Sequence, residues 1–129
     1  MTEFENRGLD HVAIAVTDVE RSRSFYERVV GLAREHAEWD VPVVMAAQGS
    51  GVALFPADEH PSATPDGAEP PAIRILHIAF RLDRDGFDAA HAALAELGVE
   101  TRFSDHEIAH SIYFEDPDGH QLELTTYEI

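Results

Sequence analysis

Cysteine and lysine are both absent from this sequence, and each absence excludes certain kinds of site. Without cysteine, the chain has no disulfides, no thiolate metal ligands and no cysteine nucleophile. All nine basic residues are arginines, and they face 25 acidic residues, which gives a formal net charge of -16. A surface of that charge repels phosphate groups and anionic lipid headgroups. We therefore expect neither nucleic acid nor a membrane as a partner, but the charge does not identify the function.

Long hydrophobic runs are missing as well. No segment approaches the roughly 20 apolar residues that a membrane-spanning helix needs. The first residues have neither the basic start nor the apolar core of a signal peptide, so a cytoplasmic location is the default expectation. The length of 129 residues and the hydrophobic content of 44% suffice for one compact domain with a buried core.

A β-α-β-β-β order of elements occurs twice along the chain, which predicts a duplicated module. The first module, residues 8–55, opens with a strand that contains His11. Asp18 is suited to cap the helix that follows, and Gly31 to end it. Short runs of apolar and β-branched residues then predict three strands, around Leu32–Trp39, Val41–Ala47 and Gly51–Phe55.

The second module, residues 73–129, follows a segment rich in Pro, Asp and Glu, residues 56–72, that is typical of a linker. Its first strand contains His77, and Gly98 ends its helix. Three strands complete it, and the turn Asp116–Gly119 joins the last two. The predicted strands are Ile73–Leu82, Val99–Ser104, Ala109–Glu115 and His120–Thr126. The whole chain is thus predicted to be one α+β domain of two modules.

Two histidines occupy the same position in the two modules, because Leu9–Ala13 aligns with Ile75–Ala79. A single histidine in an apolar strand is usually a packed residue, but a matched pair, His11 and His77, indicates a site. Glu123 stands between two leucines on the last strand, so its side chain is expected to lie on the face of the sheet opposite to theirs. Two imidazoles and one carboxylate form a facial ligand set that leaves coordination positions open on a divalent metal ion.

Four motifs extend over essentially the whole chain: Leu9–Val12, Ser24–Tyr26, Leu76–Ile78, and Tyr113–Gly119 with Leu122–Leu124. In these motifs the sequence resembles the vicinal oxygen chelate superfamily, which includes glyoxalases, extradiol dioxygenases, fosfomycin-resistance enzymes and bleomycin-binding proteins. The resemblance implies two β-α-β-β-β modules that form an incomplete barrel around a divalent metal. It also implies the metal ligands, which are His11, His77 and Glu123. A homodimer is implied too, and His11 could join the other ligands from its own chain or from the partner.

Ala53 distinguishes this chain from the four-ligand glyoxalases of the superfamily. Those enzymes typically have a further ligand on the last strand of the first module. Aligning Leu122–Leu124 with Val52–Leu54 puts Ala53 at that position, and an alanine cannot bind a metal. The sequence therefore resembles the three-ligand branches more closely.

Extradiol dioxygenases, which cleave catechol rings with O₂ at Fe(II), are the leading functional prediction among those branches. In that family a tyrosine stands ten positions before the glutamate ligand, as Tyr113 does here before Glu123. A histidine upstream of the tyrosine also serves in many members, and His106 or His110 is its counterpart here. Packing within an aromatic-rich strand explains Tyr113 equally well. The expected metal is Fe(II), with Mn, Zn or Ni as alternatives.

Two other functions remain open. A glyoxalase-like lyase or isomerase, or a thiol transferase, would use the same metal as a Lewis acid. A metal-free, drug-binding dimer like the bleomycin-resistance proteins would need no ligands, so the ligand set argues against it. The fosfomycin-resistance enzymes resemble this chain at His110–Phe114 but bind a phosphonate with several basic residues. This chain has no lysine and no basic residue after Glu123, and Arg81 and Arg102 are interpreted as surface residues, so that function ranks lower.

Overall fold

The computed structural model describes residues 4–59 and 75–129. The chain divides into two compact units, Met1–Pro61 and Ser62–Ile129. The predicted linker, residues 56–72, falls mostly outside the described residues, and its described beginning is a 3₁₀ turn at Ala57–Glu59. None of the helices in the described ranges is long and apolar enough to cross a membrane.

The first unit contains one helix and one four-stranded sheet. Asp18 caps the helix, because its carboxylate accepts a hydrogen bond of 2.9 Å from the backbone N–H of Arg21. The helix continues into a π-helical turn, Tyr26–Val30, which ends at Gly31 with a φ of 84°, a conformation that favours glycine. The elements are β1 (His11–Val16), α1 (Val19–Phe25), β2 (Ala33–Glu35), β3 (Val43–Ala47) and β4 (Ser50–Pro56).

The second unit repeats this plan. Its elements are β5 (Ile78–Arg81), α2 (Arg84–Glu96), β6 (Arg102–Asp105), β7 (His110–Glu115) and β8 (Gln121–Thr126). The strand orders, β1-β4-β3-β2 and β5-β8-β7-β6, are equivalent, and neither sheet closes into a barrel. In both sheets the first and last strands are parallel neighbours and the other pairs are antiparallel. The predicted α+β fold of two β-α-β-β-β modules is therefore confirmed.

One predicted boundary that matters for the site was wrong. The sequence placed His77 inside a strand of Ile73–Leu82, but β5 begins at Ile78. His77 thus immediately precedes the strand, whereas His11 is the first residue of β1.

The strand register relates Ala53 to Glu123. In the first sheet Ala13 pairs with Ala53, and in the second sheet Ala79 pairs with Glu123. Ala13 and Ala79 each lie two residues after the histidine of their module. Ala53 therefore occupies in the first unit the position that Glu123 occupies in the second, in agreement with the alignment of the two modules.

The second sheet has one apolar and one polar face. Leu122 and Leu124 are fully buried on the side of α2, which contributes the buried Phe87 and Leu94. Each such buried side chain contributes about 1.5–3 kcal/mol relative to exposure. Because neighbouring residues of a strand point to opposite faces, Glu123 lies on the face away from that core.

Gly51 is required by the hairpin of β3 and β4. The strands are joined by Gln48 and Gly49, which have φ values of 54° and 79°, as in the tight turns that suit sheet twist. A Cβ on Gly51 would overlap the backbone carbonyl oxygen of Met45. We expect Gly51→Ala to lower the free energy of unfolding by about 1–3 kcal/mol or more, measured by urea denaturation. Gly49→Asn, at an open position of the same turn, is the control and should lower the free energy of unfolding by less than half as much.

Candidate functional site

A cleft of about 450 Å³ opens on the polar face of the second sheet. Its walls come from β6, β7, β8 and the residues just before β5. They are Leu76, His77, Arg102, Ser104, His106, Tyr113 and Gln121. Three residues that the sequence singled out, His77, His106 and Tyr113, are thus brought together in one place.

The buried carboxylate of Glu123 lies beside His77. Glu123 is only 8% exposed, and its Oε1 is 3.0 Å from Nε2 of His77. Its other oxygen, Oε2, accepts a hydrogen bond of 2.7 Å from the hydroxyl of Ser111. A buried carboxylate is costly unless both of its oxygens have partners, and here both do.

Ser111 and Thr125 support that carboxylate from the middle of the sheet. Ser111 is fully buried, and its Oγ is 3.0 Å from Oγ1 of Thr125. Oγ1 of Thr125 is also 3.3 Å from the backbone carbonyl oxygen of His110, to which it can donate. Since the single proton of the Ser111 hydroxyl is committed to Glu123, the Thr125 hydroxyl acts as the donor towards Ser111 or the carbonyl. This chain of hydroxyls fixes the orientation of the carboxylate.

Tyr113 lies directly opposite Glu123 in the pairing of β7 with β8. Its ring meets the ring of His77 edge to face, with centroids 5.7 Å apart, and its hydroxyl is 3.0 Å from Nε2 of His106. Burial raises the pKa of the Tyr113 phenol and the charge of Glu123 raises it further, while Arg102 acts in the opposite direction. The phenol therefore stays protonated over the neutral pH range.

His110 is placed away from this cleft. It alternates with Ser111 on β7 and so points to the face that carries α2, where its Nδ1 is 3.1 Å from the guanidinium of Arg84. Its Nε2 is 3.7 Å from a carboxylate oxygen of Asp105. Of the two histidines considered as partners of Tyr113, His106 is the one that the structure places beside it.

His11 belongs to the first unit. It begins β1, and its Nδ1 is 2.8 Å from a carboxylate oxygen of Asp10. Around Ala53 the first sheet has an apolar cluster of Val44, Ala46 and Ala53, with Phe55 packed against it. In the described parts of each unit taken separately, no group of three or more His, Asp or Glu side chains is arranged to hold a metal ion.

The donor atoms of His77 and Glu123 nevertheless suit neighbouring positions on a metal ion. Imidazole nitrogen and carboxylate oxygen bind divalent metals at about 2.1 Å, so two donors at a right angle are separated by about 3.0 Å. The observed separation is 3.0 Å. Because the Ser111 hydroxyl donates to Oε2 of Glu123, Oε1 is the oxygen that faces His77.

Ser111 was not singled out from the sequence, and Arg102 was given no role in the cleft. Ser111 stands two residues before Tyr113, so strand alternation alone puts both on one face. Arg102 was interpreted as a surface residue, and it is indeed exposed, but it also lines the cleft. The pairing of β6 with β7, in which Arg102 lies opposite Tyr113, is the information that the sequence did not provide.

The fold is of the glyoxalase type. The family model described as "Glyoxalase/Bleomycin resistance protein/Dioxygenase superfamily" matches residues 8–124. The chain belongs to this superfamily.

Its relatives in that superfamily are named as enzymes. The Glutathione transferase FosA of Serratia marcescens is 30% identical over 92% of this chain and 79% of its own length. The Metallothiol transferase FosB of Lysinibacillus sphaericus is 31% identical over 93% of this chain and 82% of its length. The Catechol-2,3-dioxygenase of Bacillus subtilis is 30% identical over 93% of this chain, which spans only 41% of that protein.

Solved structures show the same fold. A glyoxalase/dioxygenase from Nostoc punctiforme has a TM-score of 0.72 at 26% identity, over 93% of this chain and 90% of that one. The Fosfomycin Resistance Protein FosX from Mesorhizobium loti has a TM-score of 0.66 at 28% identity, over 95% and 93% of the two chains. The names thus include thiol transferases at least as prominently as dioxygenases.

Proposed function

We propose that this protein is a metal-dependent enzyme that uses His11, His77 and Glu123 as ligands and cleaves the ring of a small aromatic diol with O₂. The observation that supports this choice most is the hydrogen-bonded pair of Tyr113 and His106 beside His77 and Glu123. A diol must lose protons before its two oxygens bind a metal. Tyr113 and His106 would accept and pass on those protons beside the two metal ligands.

The donor set suits a divalent metal such as Fe(II). Two histidines and one carboxylate leave open positions on the ion, and Ala53 adds no fourth donor. When bound, the metal would act as a Lewis acid and as a template that holds the two vicinal oxygens of the substrate.

The protein side chains would perform the proton transfers and the positioning. Imidazole can act as a proton donor or acceptor, and the exposed His106 would pass a proton between solvent and the cleft. The hydroxyl of Tyr113, 3.0 Å from Nε2 of His106, would hydrogen-bond to a substrate oxygen or relay its proton. Ser111 would keep one carboxylate oxygen of Glu123 turned away from the substrate.

A second candidate is a thiol transferase that acts on an anionic substrate. Arg102 lines the same cleft, and the relatives named FosA and FosB match most of this chain. In this case the same three ligands would hold the metal.

Activity assays on one preparation separate the two candidates. Protein purified without chelator would be reconstituted anaerobically with Fe(II) and assayed for O₂ uptake with substituted catechols. The same protein loaded with Mn(II) would be assayed for consumption of glutathione with fosfomycin. We expect O₂ uptake with ring-cleavage products. Glutathione consumption without O₂ uptake would contradict the dioxygenase function and support the transferase function. Activity independent of metal would contradict both.

Removal of the Ser111 hydroxyl should weaken metal binding. Ser111→Ala leaves Oε2 of Glu123 without its buried donor, and loss of such outer partners typically costs about 10–100-fold in metal affinity. Isothermal titration of metal-free protein with Zn(II) measures this directly. Ser104→Ala, a change of the serine that lies opposite Ser111 on β6, is the control. An affinity in Ser111→Ala within twofold of the original would contradict the role of Ser111.

The homodimer and the cytoplasmic location stay predictions. Light scattering on the eluted protein would test the first, with a mass of twice 14.3 kDa as the expected result. A monomeric mass would contradict it.

A further inference from the structure

We infer that Asp105 is a positioning residue, which holds the turn between β6 and β7 in the shape that brings His106 to the hydroxyl of Tyr113. The inference rests on the proposed function, because the proton transfer assigned to His106 is what requires this position. Asp105 follows Ser104, which lines the cleft, and neighbouring residues of a strand point to opposite faces. The side chain of Asp105 therefore lies on the other face of the sheet and acts through His106.

The direction of the His106 side chain depends on the backbone of this turn, residues 106–109. His106, Glu107 and Ile108 are exposed, and the exposed fraction of Ile108 is 72%. An exposed side chain keeps most of its rotamer freedom unless a specific contact holds it. For His106 that contact is the phenol of Tyr113, 3.0 Å from Nε2. The imidazole reaches the phenol only if the turn points it there.

The backbone conformation at Glu107 is strained. Glu107 has a φ of 71°, and the backbone N–H of Ile108 donates a hydrogen bond of 2.8 Å to the carbonyl oxygen of His106. A bond of this kind around a residue with positive φ defines the classic γ-turn, which is rare and strained. Residues other than glycine seldom adopt it, and such a conformation persists where its surroundings hold it. Contacts close to Glu107 must therefore stabilise the turn.

Two hydrogen bonds provide that stabilisation. Oδ1 of Asp105 accepts a bond of 2.8 Å from the backbone N–H of Glu107. The backbone N–H of His106 donates a bond of 2.8 Å to the carbonyl oxygen of Ala109, and Ala109 is buried. The two bonds hold the peptide groups on both sides of the His106 Cα atom. Because a side chain makes the first of them, a substitution at Asp105 can remove it.

Asp105 also faces His110, its partner in the pairing of β6 with β7. Nδ1 of His110 is 3.1 Å from the guanidinium of Arg84, which can only donate, so Nδ1 accepts and the ring proton is on Nε2. That Nε2 is 3.7 Å from Oδ1 of Asp105, too far for a hydrogen bond. Asp105 therefore has two separable properties, which are its charge beside His110 and its acceptor oxygen for Glu107.

Asparagine and alanine at position 105 separate these properties, because Asp105→Asn keeps an acceptor oxygen without the charge and Asp105→Ala removes both. We would record long-range proton–nitrogen correlation spectra of the metal-free protein labelled in its histidine rings. His106→Gln identifies the signals of His106, and Tyr113→Phe shows its Nε2 signal without the phenol. Asp105→Ala should give the Nε2 signal of Tyr113→Phe, and Asp105→Asn that of the unchanged protein.

Rates then distinguish a positioning role from a purely structural one. After reconstitution with Fe(II), Asp105→Ala should lower kcat with a catechol by about 10–100-fold, as expected for a displaced proton-transfer group, and change KM by less than about twofold. Asp105→Asn should restore most of kcat. Asp85→Ala, which removes an exposed carboxylate on α2, is the matched control and should leave both the spectrum and the rate unaltered.

Two variants of Glu107 test the same turn if Asp105→Ala does not fold. Glu107→Val places a β-branched side chain at a positive φ, which it strongly disfavours, whereas Glu107→Gly accepts this φ. Glu107→Val should therefore give the Nε2 signal of Tyr113→Phe, and Glu107→Gly should keep that of the unchanged protein.

The spectra need neither metal nor substrate, so they test the position of His106 separately from the proposed function. The expected spectra without ring cleavage by the unchanged protein would overturn the dioxygenase proposal and still support the role of Asp105 in holding the turn. Ring cleavage by the unchanged protein, with the Nε2 signal unaltered in Asp105→Ala and in Glu107→Val, would overturn the inference alone. An Asp105→Asn signal like that of Tyr113→Phe would overturn it too, because charge would then be the property that matters.

Discussion

Replacement of Glu123 by glutamine is expected to lower kcat/KM by at least about 10³-fold, because several kcal/mol of metal-derived stabilisation is lost with the ligand. Glutamine has nearly the same shape but no charge, so it binds a divalent metal poorly. The fold should persist, since the side chain remains beside Ser111 and His77. Thermal melting checks folding, and steady-state rates after reconstitution with Fe(II) measure the effect.

Glu35→Gln is the matched control for this change. Glu35 is an exposed carboxylate on β2 of the first sheet, so its removal changes the net charge equally but should leave the rate unaltered. If Glu123→Gln keeps more than about a tenth of the activity, an amount equivalent to a loss of less than about 1.4 kcal/mol, Glu123 does not bind the catalytic metal.

Tyr113→Phe is expected to have the second largest effect, a decrease of kcat by about 10²–10⁴-fold with little change in metal affinity. The ring stays in contact with His77, with centroids 5.7 Å apart in the unchanged protein. Only the hydroxyl is removed, and with it the hydrogen bond to His106. Metal titration and single-turnover rates with a catechol measure the two quantities separately.

His106→Gln tests the other member of the hydrogen-bonded pair of Tyr113 and His106. If His106 exchanges protons with the substrate, this variant should lose rate and also lose one limb of the pH dependence of kcat/KM. His91→Gln, a change on α2, should keep both limbs. A Tyr113→Phe variant that raises KM with kcat unchanged would show that the phenol contributes binding alone, and would contradict the proton-transfer role.

The duplicated module was predictable from sequence because its signals are local. Asp18 caps α1 and Gly31 ends the π-helical turn that follows it, and both roles depend on neighbouring backbone groups. The equivalence of Ala53 and Glu123 also followed from alignment, and the register agrees with it. Strand ends were less predictable, as His77 shows, because they depend on pairing with another strand.

The composition of the cleft could be predicted only in part. The sequence does not show which of His106 and His110 lies beside Tyr113. Strand alternation on β7 places His110 on the opposite face of the sheet, where it contacts Arg84. His106 follows β6, and its side chain reaches Tyr113. The contributions of Ser111 and Arg102 depend on which residues lie opposite each other across β6, β7 and β8. That register arises from long-range pairing, which no local sequence pattern specifies.

Titration of the metal-free His11→Ala protein with Co(II), followed by visible absorption, tests the central claim most directly. We expect the unchanged protein to bind one Co(II) per chain. The affinity should fall by at least about 100-fold in His11→Ala and in His77→Ala, since each loses one of three ligands, whereas His91→Gln should bind normally. Unaltered Co(II) binding by His11→Ala would contradict a site composed of His11, His77 and Glu123.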